Sequence, residues 1–324
     1  VLRAQRRAGL QRAESPPPGH QQLARVTTSG STGTPVTVFS TEVTRLLWQA
    51  LTLRDHYWHG TEFGGRLAAI RICGDKAPAP YPRGRSAPDW GPPVNLVHET
   101  GDAAVLSIHT PVTQQLEWLE RVSPQRLLTF PSNAAELARH ARKQGVDLSM
   151  LRSVRLLSEV LDDATRALLS DTWNVTVTEG YSAQEVGHIA LQCPCHPHLH
   201  VMGETLYVEI LDDEGRPCGP GEEGRVVITT LQNFAMPLLR YDIGDRAVVG
   251  EPCDCGRGLP VLKRVLGRVR NMLLTPAGDR HWPNLAAPFY RAIAPVVQHQ
   301  IVQRTRERLE VRLVVERPLS PDEE

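Results

Sequence analysis

Lysine is almost missing from this chain. Lys76, Lys143 and Lys263 are the only lysines among 36 basic residues, and none follows Lys263. Any chemistry that needs an ammonium group has three candidates. A net charge of either sign is missing too, because 36 acidic groups balance the 36 basic ones. That balance leaves no electrostatic footprint for nucleic acid or an anionic membrane surface. No apolar run approaches the roughly 20 residues of a membrane helix. No G-x-S-x-G elbow occurs, since Gly180-Tyr-Ser-Ala-Gln184 fails at its last position, and this sets aside a serine hydrolase. No G-x-G-x-x-G directly follows a strand, which sets aside a classical dinucleotide-binding dehydrogenase. Internal repeats are also lacking, and the one biased tract is the proline-rich stretch from Pro78 to Pro93.

What remains is a folded globular chain, 41% apolar and 22% charged. Its 324 residues allow a sizeable core and about two domains. Val1 to Ala13 is rich in arginine and reads as the end of an amphipathic helix, with a transit peptide as the alternative. Ser15-Pro-Pro-Pro-Gly19 then breaks any helix. Strand-like runs at Leu67–Ile72, Ala103–Ile108, Ser153–Leu157 and Val175–Thr178 alternate with helical spacing. The helical stretches are Thr41–Leu53, Thr113–Val122, Ala134–Gln144 and Asp162–Ser170. The alternation predicts α/β layers around a mainly parallel sheet. After about residue 190, Leu206–Leu211 and Arg225–Thr230 with Gly-rich turns predict a β subdomain. From about Val269 a strand, a helix near Leu285–Ile293 and strands at Gln298–Gln303 and Leu309–Val315 predict a small, partial α+β domain. The expected division is 1–23, a remnant or linker; 24–268, the large domain with its β subdomain at about 190–265; and 269–324. Both ends read as cut.

Three segments carry chemistry. Thr27-Thr-Ser-Gly-Ser-Thr-Gly-Thr-Pro35 combines glycines, which let the backbone approach a ligand, with the hydroxyls of Thr28, Ser29, Ser31, Thr32 and Thr34. Such a loop is an anion nest suited to phosphates, although it lacks the Gly-Lys-Ser/Thr ending of a Walker loop. A flexible linker is its structural alternative. Tyr181-Ser-Ala-Gln-Glu185 follows a strand, where Glu185 is placed to hold Mg²⁺ or to act as an ordinary helix-start carboxylate. Arg240-Tyr-Asp-Ile-Gly-Asp245 sets two carboxylates around a turn, with Asp245 able to accept from a ribose diol. Of six cysteines, Cys193 with Cys195 and Cys253 with Cys255 form two C-x-C pairs. Without a secretory signal, such pairs point to metal before disulfide, and to the cytoplasm.

In this order the three segments, followed by Gly267-Arg268, resemble the ATP-dependent adenylate-forming (AMP-binding) superfamily. Ala235-Met-Pro-Leu-Leu-Arg-Tyr241, Cys253-Asp-Cys-Gly-Arg-Gly-Leu-Pro260 and Cys193-Pro-Cys-His-Pro-His-Leu-His200 resemble its phenylacetate–CoA ligase and CapK-type branch. The resemblance spans about Ala24 to Arg317. It implies activation of a carboxylic acid, of aromatic type, as an acyl-adenylate, then transfer to CoA. A carrier-protein thiol or an amine is the alternative acceptor, and a non-catalytic nucleotide-binding relative is the alternative of another class. By resemblance Thr28, Ser29, Gly30, Ser31, Thr32, Gly33 and Thr34 grip ATP phosphates and Glu185 holds Mg²⁺. Ser158, Glu159, Tyr181 and Ser182 lie by the nucleotide, Asp245 binds ribose, and Arg268 sits at the domain hinge. Cys193, His200, Cys253 and Cys255 fall on the branch's Cys/His/Cys/Cys positions for a structural Zn²⁺, with Cys195, His196 and His198 as spare donors.

The sequence departs from the family pattern at several points. Thr34 and Gln184 replace a usual Lys and Thr. Arg270-Asn271 stands where the branch has Asp-Asp at the hinge, and Gly278-Asp-Arg-His-Trp-Pro283 matches its segment loosely. The family's adenylating lysine near the end of the small domain has no counterpart, and arginine is not its equivalent.

Overall fold

A computed structural model describes residues 15–27, 37–75, 77–268, 273–277, 280–281 and 294–323. Two compact units result, Val1–Gly267 and Arg268–Glu324. The first opens with a hairpin of β1 (Ala24–Thr27) and β2 (Thr37–Ser40). Its helices are α1 (Glu42–Trp58), α2 (Val112–Val122), α3 (Pro131–Gln144) and α4 (Asp163–Trp173). Each begins and ends for a local reason. Thr41 and Thr44 cap α1 reciprocally, Asp162 accepts from Thr165 N at α4, and α3 stops at Gly145 in the left-handed region.

One sheet of 12 strands runs through this unit. Its first part holds β3 (Leu67–Arg71), β4 (Arg85–Ala87), β5 (Ala103–Ser107), β6 (Arg126–Thr129), β7 (Ser153–Leu156) and β8 (Thr176–Ala183). Its second part holds β9 (Gly187–Gln192), β10 (Leu199–Val201), β11 (Leu206–Leu211), β12 (Glu223–Thr230), β13 (Tyr241–Val249) and β14 (Val261–Arg268). In space the order is β11-β12-β13-β14-β10-β9-β8-β7-β6-β3-β5-β4. The predicted parallel sheet and β subdomain are thus one continuous mixed sheet. Strand β8 joins them, since Thr176–Glu179 pairs parallel with β7 and Gly180–Ala183 antiparallel with β9.

Each part has its own core. Leu106, Leu116, Trp118, Leu127, Leu137, Val154 and Leu156 bury the helices against the parallel strands. Ile189, Leu199, Val226, Ile228, Ile243 and Leu262 form a second core from strands alone. The second unit contains β15 (Leu273–Leu274) paired with β16 (Arg280–His281), and β17 (Val296–Gln303) paired with β18 (Leu309–Val315). Residues 1–14, the strand expected from Val269 and the helix near 285–293 fall mostly or wholly outside the described residues. No helix of the described residues is long and apolar enough to cross a membrane.

Two expectations are corrected. Arg240–Asp245 is not a turn: Tyr241 opens the nine-residue strand β13. The chain deviates within that strand, because pairing with β12 shifts register opposite Val226 and Gly244 takes φ +84°. Glu185 does not start a helix. It lies in the tight turn between β8 and β9, where Ala183 pairs with Gly187.

Candidate active site and Cys/His cluster

The change of partner along β8 sets up the site. Gly180 begins the antiparallel half, and Tyr181 follows. Four strands away, β13 presents the largely buried Asp245. The sheet curls enough for Tyr181 Oη to donate to Asp245 Oδ2 at 2.7 Å. Two segments 64 residues apart therefore meet. Ser182 is exposed beside them, and Glu185 is half-buried in the turn that follows. Glu185 lines a cavity of about 290 Å³, with Val38, Phe39, Trp48, His188 and Asn233 among its walls.

Ser158 and Glu159 follow β7. Ser158 has φ 66°, the left-handed region that a non-glycine residue enters only at a cost. Glu159 accepts from Ser132 N at 2.9 Å and Ser132 Oγ at 3.0 Å. Helix α3 has no side-chain cap of its own at Phe130, so Glu159 supplies a negative group to its N-terminus. Arg268 closes β14 directly after Gly267, whose φ is +95°. Thr27 pairs with Thr37 on either side of the predicted phosphate loop, and Thr28 to Thr34 lie outside the described residues.

Beneath Tyr181 lies a polar network absent from the sequence reading. Arg155 of β7 donates to the Glu179 carbonyl at 2.5 Å and pairs with Asp55 of α1 at 3.0 Å. A Cβ on Gly180 would stand 2.5 Å from Arg155 Nη2, so the glycine leaves room for the guanidinium. Arg166 pairs with Glu179 at 2.7 Å, and Gln192 accepts from Glu179 N. Burial, reinforced by the Arg155 charge, holds His56, His59 and His188 down at about 4, so all three are neutral near pH 7. Burial raises Asp55 and Glu179 while their arginine partners pull them back. Thr52 Oγ1 donates to Trp48 O and lies 3.1 Å from His188 Nε2. The hydroxyl proton is thereby engaged, which makes Nε2 the donor to Thr52. The sequence signal for this network was a lone arginine between apolar neighbours in a short strand, Ser153-Val-Arg-Leu156.

The two C-x-C pairs converge with a histidine. One donor atom each from Cys193, His200, Cys253 and Cys255 lies within 4.8 Å of all the others. The Cys193 and Cys253 sulfurs are 3.9 Å apart, against about 3.8 Å for two thiolates on one tetrahedral zinc. Cys255 Sγ is 3.2 Å from His200 Nε2. In both pairs the second cysteine's backbone N–H reaches the first one's sulfur at 3.4 Å. The donor set fits tetrahedral zinc. His200 is fully buried within it, whereas the spare donor His196 lies 2.7 Å from Asp254 Oδ1 instead.

No protein-family model matches the chain. It is 32% identical over 217 residues to the phenylacetate–coenzyme A ligase of Thermus thermophilus, covering 63% of this chain and 48% of that protein. A phenylacetate–coenzyme A ligase of Aromatoleum evansii is 25% identical over 167 residues, covering 50% and 38%. By sequence the chain is similar to phenylacetate–coenzyme A ligases, and its fold is the adenylate-forming one. It spans about half the length of the curated relative it matches better. A 2-hydroxyisobutyryl-CoA ligase in complex with its acyl-AMP superposes with TM-score 0.66 at 18% identity, covering 90% of this chain and 62% of that one. An anthranilate CoA ligase in complex with anthranoyl-AMP gives TM-score 0.64 at 17% identity, covering 93% and 59%. The adenylate-forming architecture is therefore kept while most of the sequence has changed.

Proposed function

We propose that this chain belongs to an enzyme that activates a carboxylic acid with ATP and passes the acyl group to CoA. The acid is an aromatic one of the phenylacetate kind. A carboxylate oxygen attacks the α-phosphorus, the bond to pyrophosphate breaks, and an acyl-adenylate forms. The CoA thiol then attacks the acyl carbon and AMP leaves. The observation that carries this reading is the Tyr181–Asp245 hydrogen bond, which joins two motif segments. In it, Asp245 accepts from the ribose hydroxyls and Tyr181 holds that carboxylate in place. Ser158 and Ser182 border the nucleotide, and Glu159 fixes the loop after β7. Thr28, Ser29, Gly30, Ser31, Thr32, Gly33 and Thr34 cradle the phosphates, and Arg268 turns the hinge. Glu185 would hold Mg²⁺, which neutralises phosphate charge. Cys193, His200, Cys253 and Cys255 would hold a structural zinc, because four protein ligands leave no open position.

ATP–pyrophosphate exchange with Mg²⁺, across aromatic and aliphatic acids, tests the reading. Exchange should depend on an aromatic acid. It should fall roughly 10- to 100-fold in Asp245→Asn, as expected for one lost hydrogen bond to a charged group. Tight ATP binding with no exchange would favour a nucleotide-binding relative instead.

A further inference from the structure

Beside the four zinc donors lies a second donor set. His196, Cys253 and Asp254 each place one ligand atom within 4.8 Å of the others. His196 Nε2 is 2.7 Å from Asp254 Oδ1, and Cys253 Sγ is 4.0 Å from the same oxygen. Cys253 belongs to both sets. A thiolate sulfur keeps lone pairs after binding one ion and can bind another. Asp254 sits between Cys253 and Cys255 in sequence, so its carboxylate projects outward while both thiols point to the inner set. Among the described residues, His196 is the one basic side chain in ion-pair contact with Asp254. Arg257 lies instead over the Trp58 ring at 4.7 Å and donates to the Cys255 carbonyl.

We infer that this cluster is a two-metal centre in which Cys253 bridges the four-ligand ion to a second divalent cation of the zinc class, held by His196 and Asp254. Two observations converge on it. The donors are nitrogen, sulfur and oxygen, the set that borderline-soft cations take. Pro194 and Pro197 flank the Cys195-His196 segment, and the His196 ring stacks on His198 at 5.2 Å, so His196 is held before any ion arrives. Two ligands on one tetrahedral ion stand about 3.3 Å apart. The His196–Asp254 distance must therefore open slightly, which an Asp254 side chain 86% exposed can do. With three protein ligands at the surface, the second ion keeps a position for water.

The inference rests on the zinc reading of the inner set, and metal titration separates the two. The full chain, stripped with a chelator, is titrated with Co²⁺ and separately with cadmium-113. Two equivalents should bind. The first brings thiolate-to-cobalt charge transfer and tetrahedral ligand-field bands, and the cadmium sample shows two resonances split by coupling through the shared sulfur. The surface variant His196→Ala/Asp254→Asn should bind one equivalent, keep the first set of bands and lose the coupling. One equivalent in both proteins overturns the second site and leaves the inner one standing. Two equivalents unchanged in the variant, or two uncoupled resonances, also overturn it. No binding at all overturns the inner zinc reading as well.

Discussion

The two parts of the sheet bury polar chemistry in opposite ways. Around β7 and β8, charge is buried directly: Arg155 faces Asp55 and the Glu179 carbonyl, with neutral His56, His59 and His188 around it. Around β10 and β14, the polar donors are gathered into one knot of three thiols and a histidine. The first arrangement needs helix α1 to supply half of its partners. The second takes its donors from β10 and the loops after β9 and β13, and α1 adds only the Trp58 ring, which lies against His200 and Arg257. A subdomain whose own core is made by strands would gain most from a cross-link that closes two loops. A layered α/β part can afford buried ions, because surrounding apolar surface holds them in place.

The largest test of this contrast is removal of the knot. On the zinc reading proposed above, Cys255→Ser, or chelation of the wild-type chain, should cost more stability than the roughly 2–5 kcal/mol of a core truncation, since metal binding would then be folding free energy. A midpoint that chelator leaves unchanged would count against a structural ion.

Next comes the ion pair of the other part. Arg155→Ala leaves Asp55 buried without its cation and should cost about 3–5 kcal/mol. Replacing both, as Asp55→Leu with Arg155→Met, should cost less than the single change. If the double variant is the worse one, the pair stabilises more than it costs to bury.

Acid should act on the same part. The three histidines titrate at about 4 when folded and near 6.5 when unfolded. Their contribution is complete above pH 6.5 and is lost as pH falls towards about 4. The slope reaches about 1.4 kcal/mol per pH unit for each histidine. Asp55 and Glu179 are raised and so act with the opposite sign, offsetting part of the slope in acid. Denaturation midpoints across this range, in wild type and His56→Gln, give the comparison. The variant should show the shallower curve, and equal slopes would remove His56 from the account.

The smallest effect is local. Asp162→Ala removes the cap of α4 and should cost about 1 kcal/mol, without altering metal content. Thermal unfolding and metal analysis of the same sample check both halves of that statement.

By itself the sequence determined the elements and the donor types. Apolar spacing and capping residues marked all four helices to within a few residues at most ends, because those signals are local. The longest miss is α1, which runs on to Trp58 because Asp55 and His56 face partners that periodicity treats as solvent-bound. The C-x-C pairs were legible because two donors on one turn need little else. Only the tertiary structure decided what lies between distant segments. It made one sheet of two, by letting β8 change partners at Gly180. It carried Asp245 to Tyr181 across β9, β10 and β14 by curling that sheet. It turned the expected Asp-Gly turn into a strand with a local deviation, since pairing with β12 outweighs the turn preference of a single glycine. It also placed Arg155 beneath Gly180, where side-chain space, and not backbone freedom, explains the glycine. Local composition encodes local hydrogen bonds, whereas burial of charge depends on neighbours that only the fold assembles.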